Sequence, residues 1–176
     1  MTPGTYLDRI LPQTRADLEA RKAALPLAEV QARLSRQVGA PALDFVRALA
    51  EDRLHLIAEV KRASPSKGDF VQELDVRVLA RIYVENGASA LSVLTDAPFF
   101  RGSLADLAAA REVTGPAGVP ILRKDFIVDP YQVFESRLWG ADAILLIVAC
   151  LSDAALRELQ GLADSLGMAA LVEVHN

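Results

Sequence analysis

Five short apolar runs recur along this chain with an amphipathic stretch after each of the first four, and this alternation constrains the fold more than any other feature. The runs fall at residues 56–61, 90–94, 120–124, 143–148 and 169–174, and the helical stretches at 75–86, 103–114, 130–139 and 152–166. Gly87, Gly140 and Gly167 each stand just past one of those helices, where a left-handed cap is wanted. Strand, helical crossover and strand in regular succession predict a parallel sheet covered by helices. Residues 5–50 read instead as helices, with apolar stripes at Tyr6, Leu7, Ile10 and Leu11, at Leu27, Val30 and Leu34, and at Phe45, Val46 and Leu49. Pro26 and Gly39-Ala40-Pro41 punctuate them.

Two architectures accommodate five strands linked in this way. One is an open five-stranded parallel α/β sheet, doubly wound; the other is a (β/α)8 barrel of which about five units are present. The charges separate them. Glu59 and Lys61 stand two apart in the first strand and so share a face. In an open sheet both faces lie under helices, and burying charge there is costly. In a barrel, inward residues at the C-terminal ends of the strands open into the mouth, where the active sites of that fold lie. The third strand ends Leu122-Arg123-Lys124-Asp125-Phe126 and the fifth ends Val172-Glu173-Val174-His175-Asn176, so charge recurs at the same end of alternate strands. The barrel is the expectation.

A complete barrel of this kind takes about 250 residues. The 176 residues are therefore expected to form a single domain, 1–176, that is an incomplete barrel: an N-terminal helical extension over 1–50 and strands one to five over 51–176. The first and fifth strands would be open edges, to be covered by missing strands or by self-association. A fragment or truncated product is the expectation that follows.

Composition narrows the function classes. Net charge of −4 offers no basic stripe for nucleic acid. No run approaches 18 apolar residues, so no membrane span is expected. The first 26 residues carry Asp8, Arg9, Arg15, Asp17, Glu19, Arg21 and Lys22 and lack the apolar core of a signal peptide. The single cysteine, Cys150, gives no disulfide framework. A cytoplasmic protein is the expectation.

Several longer motifs occur in order: IAEVKRASPSKG at the first strand, LSVLTDAPFFRGS at the second, ILRKDFIVDPYQV at the third, GADAILLIV at the fourth and LVEVHN at the fifth. On these the chain resembles indole-3-glycerol-phosphate synthase, a TIM-barrel carboxy-lyase of tryptophan biosynthesis, over essentially its whole length. The resemblance implies an N-terminal helical cap on the barrel. It also implies ring closure, decarboxylation and dehydration of 1-(2-carboxyphenylamino)-1-deoxyribulose 5-phosphate, with no metal and no organic cofactor. Carried over by position, Lys124 is implied as general acid at the ketone, Glu173 as general base for the dehydration, Lys61 as the holder of the substrate carboxylate and Glu59 as the group that orients and balances the lysines. Ser64 is implied as a phosphate contact, and Phe100, Phe126 and Leu145 as apolar walls. The family's features on strands six to eight have no counterpart, so negligible turnover is expected of these 176 residues alone.

Other readings stay in view. Glu59 with Lys61 can be a strand-end salt bridge, Ser64-Pro65-Ser66-Lys67-Gly68 a plain turn, Lys124 and Glu173 solvated strand-end charges, and the phenylalanines core. His55 and His175 near Glu59 and Glu173 lack the spacing of a metal site. Cys150 reads as a small hydrophobe, Trp139 as packing, and Arg77, Arg81 and Arg111 as solvated helix faces. The functional alternatives are another phosphate-binding barrel enzyme such as phosphoribosylanthranilate isomerase, and a noncatalytic self-associating half barrel.

Overall fold

A computed structural model describes residues 6–37, 41–70 and 73–174. The chain begins with α1 (Tyr6–Ala24) and α2 (Leu27–Arg36), split at Pro26 as the sequence predicts. The third predicted helix is only a 3-10 turn, Arg47–Leu49. Its apolar residues serve another purpose: Phe45 is buried in the barrel interior, Leu49 packs beside it, and Val46 is left exposed. The Leu43 N–H donates to the buried Asp142 carboxylate at 2.7 Å, which holds this segment across the N-terminal end of the sheet.

The alternating part follows as β1 (Ile57–Val60), a two-stranded hairpin of β2 (Ala63–Ser64) and β3 (Gly68–Asp69), α3 (Val76–Glu85), β4 (Ala90–Leu94), the one-turn α4 (Ala97–Phe100) and α5 (Leu104–Ala117). Then come β5 (Ile121–Lys124), α6 (Pro130–Leu138), β6 (Ala143–Ile147), α7 (Asp153–Ser165) and β7 (Ala169–Glu173). Asp75, Ser103, Asp129 and Ser152 cap α3, α5, α6 and α7 through side-chain oxygens. Gly87, Gly140 and Gly167 have φ of 84°, 93° and 73°, the left-handed values expected of them. Among the described residues no helix is long and apolar enough to cross a membrane.

The five long strands are all parallel and lie in the order β1-β4-β5-β6-β7, which is their order in the chain. A doubly wound sheet reverses direction at a switch point. This sheet never does, so its crossovers all cover one face, in the manner of a barrel. Residues alternate accordingly. Ala58, Val60, Leu91, Val93, Ile121, Ile144, Leu146 and Ala170 pack under the helices, whereas Ala90, Leu122, Ala143, Leu145, Ile147 and Ala169 pack with Phe45 on the inner face. β4 and β6 are buried at every position. On the flanks Leu54, Leu56 and Ile57 before and in β1, and Leu171, Val172 and Val174 at β7, are exposed.

Candidate active site

β1 delivers Ile57, Glu59 and Lys61 to the inner face, and the last two reach the mouth. Glu59 is the hub of the charges there: its Oε1 lies 2.7 Å from Lys61 Nζ and its Oε2 2.7 Å from Lys124 Nζ. Burial pushes the Glu59 carboxyl up, but the hydrogen bonds and charges of Lys124 and Lys61 outweigh it and hold the group below its ordinary range. Lys61 Nζ also lies 5.6 Å from the centre of the Phe70 ring, a cation–π contact from the loop that follows the hairpin.

A cavity of about 300 Å³ opens beside this cluster, lined by Leu7, Leu94, Asp96, Phe100, Lys124, Asp125, Phe126, Leu145, Ile147 and Glu173. That volume is at the lower end of the small-molecule range of roughly 300–1,000 Å³. A larger and shallower hollow of about 770 Å³ runs along Arg62 and Asp106, but its lining brings neither an ammonium nor an aromatic ring. The Phe100 and Phe126 rings stand with centroids 6.3 Å apart, tilted by 38°. Phe100 is set by Asp96, whose Oδ1 accepts from Phe99 N at 2.8 Å and Phe100 N at 3.2 Å and so caps α4.

The alternate residues of β5 explain why Lys124 and Phe126 point inward. Arg123 is fully buried on the opposite face. Its guanidinium donates to Thr95 Oγ1 (3.0 Å), Asp125 Oδ2 (2.8 Å), Glu135 Oε2 (3.0 Å), Ser136 Oγ (3.1 Å) and the Gln132 carbonyl (3.2 Å). Asp125 also accepts from the Thr95 hydroxyl at 2.6 Å and from Phe126 N at 2.8 Å. Burial would raise the Asp125 carboxyl, yet the adjacent Arg123 charge and these donors hold it low. From α1, Arg21 Nε lies 3.1 Å from Glu135 Oε1, and Leu7 reaches the cavity itself.

Five of the eight residues singled out from sequence, Lys124, Glu173, Phe100, Phe126 and Leu145, share this cavity, and Glu59 and Lys61 join it through the ion pairs. Ser64 lies off the cavity lining, on β2, where its Oγ accepts from Lys67 N at 3.3 Å within the hairpin turn. His55 is bound elsewhere, to Ser89 Oγ and the Glu51 carbonyl, and His175 lies outside the described residues. Among the described residues no group of three or more His, Cys, Asp or Glu side chains could hold a metal. Arg111 corrects its sequence reading: it is not on a solvated face but pairs at 2.6 Å with Asp142, a fully buried carboxylate at the far end of the sheet. Sequence reasoning missed Arg123, Asp96 and Leu7. The first two carried a signal, since a charged residue inside an apolar strand and an Asp ahead of Ala-Pro both mark special positions.

The sequence model for "Indole-3-glycerol phosphate synthase" matches residues 7–176. The chain belongs to the indole-3-glycerol phosphate synthase family. A relative of that name from Roseiflexus sp. (strain RS-1) is 51% identical over 176 residues, covering 98% of this chain and 65% of that protein. One from Dehalococcoides mccartyi (strain CBDB1) is 53% identical over 169 residues, covering 96% and 65%. One from Mycobacterium avium (strain 104) is 49% identical over 175 residues, covering 99% and 62%. The chain thus spans somewhat under two thirds of the length of these relatives. Family membership accounts for the barrel-type sheet with its sequential strand order.

Proposed function

We propose that this chain supplies the acid–base part of an indole-3-glycerol phosphate synthase site, for ring closure of 1-(2-carboxyphenylamino)-1-deoxyribulose 5-phosphate with loss of carbon dioxide and water. The observation that carries the reading is the single cavity shared by Lys124, Glu173, Phe100, Phe126 and Leu145. The reaction needs an apolar slot for an aryl ring, an acid where a ketone becomes an alcohol, and acid and base assistance for the later loss of hydroxide. Phe100, Phe126 and Leu145 form the slot. Lys124 donates to the ketone oxygen as the ring carbon attacks, so that charge developing there meets an ammonium group in a partly dry site. Lys61 holds the substrate carboxylate until it leaves and then gives a proton to the departing hydroxyl, which is lost as water. Glu173 takes the ring proton during dehydration, and Glu59 keeps the two ammonium groups from repelling each other. Ser64, in the hairpin after β1, meets the phosphate.

The test is a chimera in which residues 1–176 are joined to the C-terminal third of the Roseiflexus relative, assayed by the fluorescence of the indole product. Turnover is expected, falling by about 10²–10⁴-fold in Lys124→Ala and in Glu173→Gln. A folded chimera that turns over no substrate, or whose rate ignores both substitutions, overturns the proposal.

A further inference from the structure

Two guanidinium groups share a second cleft, on the helical side of the molecule, that the proposed chemistry does not use. α2, α5 and α6 bound about 410 Å³ there, and its lining has no residue in common with the Lys124 cavity. That volume lies within the small-molecule range. Arg111 on α5 and Arg137 on α6 bring the charge, while Leu34 on α2, Leu138 on α6 and Trp139 just past α6 bring apolar wall. Gln37 Nε2 donates to the Leu138 carbonyl at 3.3 Å and ties the end of α2 to the end of α6. A Cβ at Gly140 would stand 2.9 Å from Arg111 Cγ, so the bare backbone there gives the Arg111 stem its place.

The charges around the cleft do not cancel. Asp142 lies fully buried and accepts from Arg111 Nη1 at 2.6 Å, from Leu43 N at 2.7 Å and from Ile121 N at 2.9 Å. It balances one guanidinium group of the two. Glu112 also lines the cleft, but Arg77 holds it through bonds of 2.6 Å and 3.0 Å. Burial lowers the Arg137 guanidinium, and the Arg111 charge lowers it further against the pull of Asp142. Two like charges partly withdrawn from water are therefore neighbours, and an anion between them would relieve both. A guanidinium fork presents several N–H groups to such an anion, and Asp142 engages one nitrogen of Arg111.

We propose that this cleft binds a small organic carboxylate whose anionic group is joined to an aromatic or other apolar body. The carboxylate meets Arg111 and Arg137, and the apolar body lies against Trp139, Leu34 and Leu138. The site stands apart from the synthase reading and does not depend on it.

The chain carries its own probe, because Trp139 is its only tryptophan. The nitrogen-15 labelled chain is titrated with sodium benzoate, with sodium chloride at equal ionic strength and with benzamide, the uncharged counterpart of benzoate. The indole N–H signal is expected to shift saturably with benzoate, with a dissociation constant on the order of 1 mM, and not with the other two. Arg137→Gln keeps a polar side chain without the charge and is expected to weaken benzoate by about tenfold or more. The proposal is overturned if benzoate moves the signal no more than chloride does, or if benzamide matches it. A natively folded Arg137→Gln that binds benzoate as the parent does overturns it too; the arginines would then serve only Asp142 and the carboxyl ends of α2 and α6. Should Arg137→Gln fold poorly, the comparison of benzoate with benzamide in the parent still decides. Turnover plays no part in the measurement, so a failed synthase assay and a failed carboxylate site are distinguishable.

Discussion

Two charged clusters grow from adjacent residues of β5 and differ in almost every physical respect. Arg123 turns under the helices, is 0% exposed, and meets two carboxylates, two hydroxyls and a carbonyl. Lys124 turns into the mouth, keeps 38% of its side-chain surface exposed, and pairs there with Glu59. The first is closed: its capacity is spent within the protein, and nothing could bind there without unmaking it. The second has spare donors and acceptors facing a cavity. Charges of the first kind hold a strand in register; those of the second kind are available to a ligand.

Breaking the closed cluster should produce the largest effect. Arg123→Ala leaves Asp125 and Glu135 buried without their shared cation, which is expected to cost about 3–5 kcal/mol. Urea denaturation of the variant reads this directly. A loss below about 1 kcal/mol would mean that the carboxylates find water or other partners, and that the cluster is not closed.

The support of the aromatic wall comes next. A methyl group at Gly102 would stand 2.2 Å from the Leu94 carbonyl oxygen, a backbone atom that cannot step aside. Gly102→Ala is therefore expected to destabilise by about 1–3 kcal/mol through a forced shift of the turn after α4. Because Phe100 is the last residue of α4, directly before that turn, the same substitution should weaken binding of an aryl ligand in the completed barrel. Unchanged stability would show that the turn moves freely and does not hold the ring.

The open cluster should tolerate change. Lys124→Met removes one of the two ammonium groups on Glu59 and retains most of the side-chain volume, so the stability change is expected to stay under about 1 kcal/mol. Its signature is in titration. Glu59 sits below its ordinary range because the lysines outweigh burial, so it contributes stability that is present above the unfolded carboxyl value and is lost as pH falls through the folded one. Removing Lys124 raises the folded value and narrows that contribution. Parent and variant should converge in acid, and a difference that widens as pH falls would contradict the assignment of Glu59 as hub.

The same contrast explains what could be read without coordinates. Strand spacing and the capping glycines carry the alternating architecture, because period and turn chemistry are local properties. Glu59, Lys61, Lys124 and Glu173 were legible as charges at the C-terminal ends of alternate strands, where only a barrel mouth accommodates them. Arg123 was not, since its neighbours Lys124 and Asp125 make it look like one more strand-end charge; its burial depends on Glu135 and Ser136, which lie 12 and 13 residues further on, in α6. The helix expected around Phe45 became a single turn because those apolar residues close the end of the sheet, a tertiary demand that outranks local periodicity. The hairpin of β2 and β3 has only two residues on each side, too few to show a period. Leu7 enters the cavity from a helix more than a hundred residues before Lys124 in sequence, a distance no local pattern spans.

Asp96 lies between the two kinds of charge, and its expected effect is the smallest. It is 7% exposed and caps α4, yet among the described residues no cation is paired with it. Burial raises its carboxyl, the backbone donors at Phe99 and Phe100 oppose this, and the charges of Asp125 on β5 and Asp17 on α1 push it further up, leaving a net rise. Arg21 and Lys124 share its cavity walls without reversing the sign. A raised carboxyl binds its proton more readily in the folded chain than in the unfolded one. Its contribution to stability therefore declines as pH climbs from the unfolded value to the folded one, and the penalty is complete above that. Asparagine caps helices about as well as aspartate and carries no charge. Asp96→Asn is thus expected to be slightly more stable than the parent at neutral pH and equal to it once Asp96 is protonated, as read by thermal unfolding across that range. If the asparagine variant is weaker at neutral pH, the negative charge at the start of α4 is favourable, and Asp96 belongs with the closed cluster that fixes the framework.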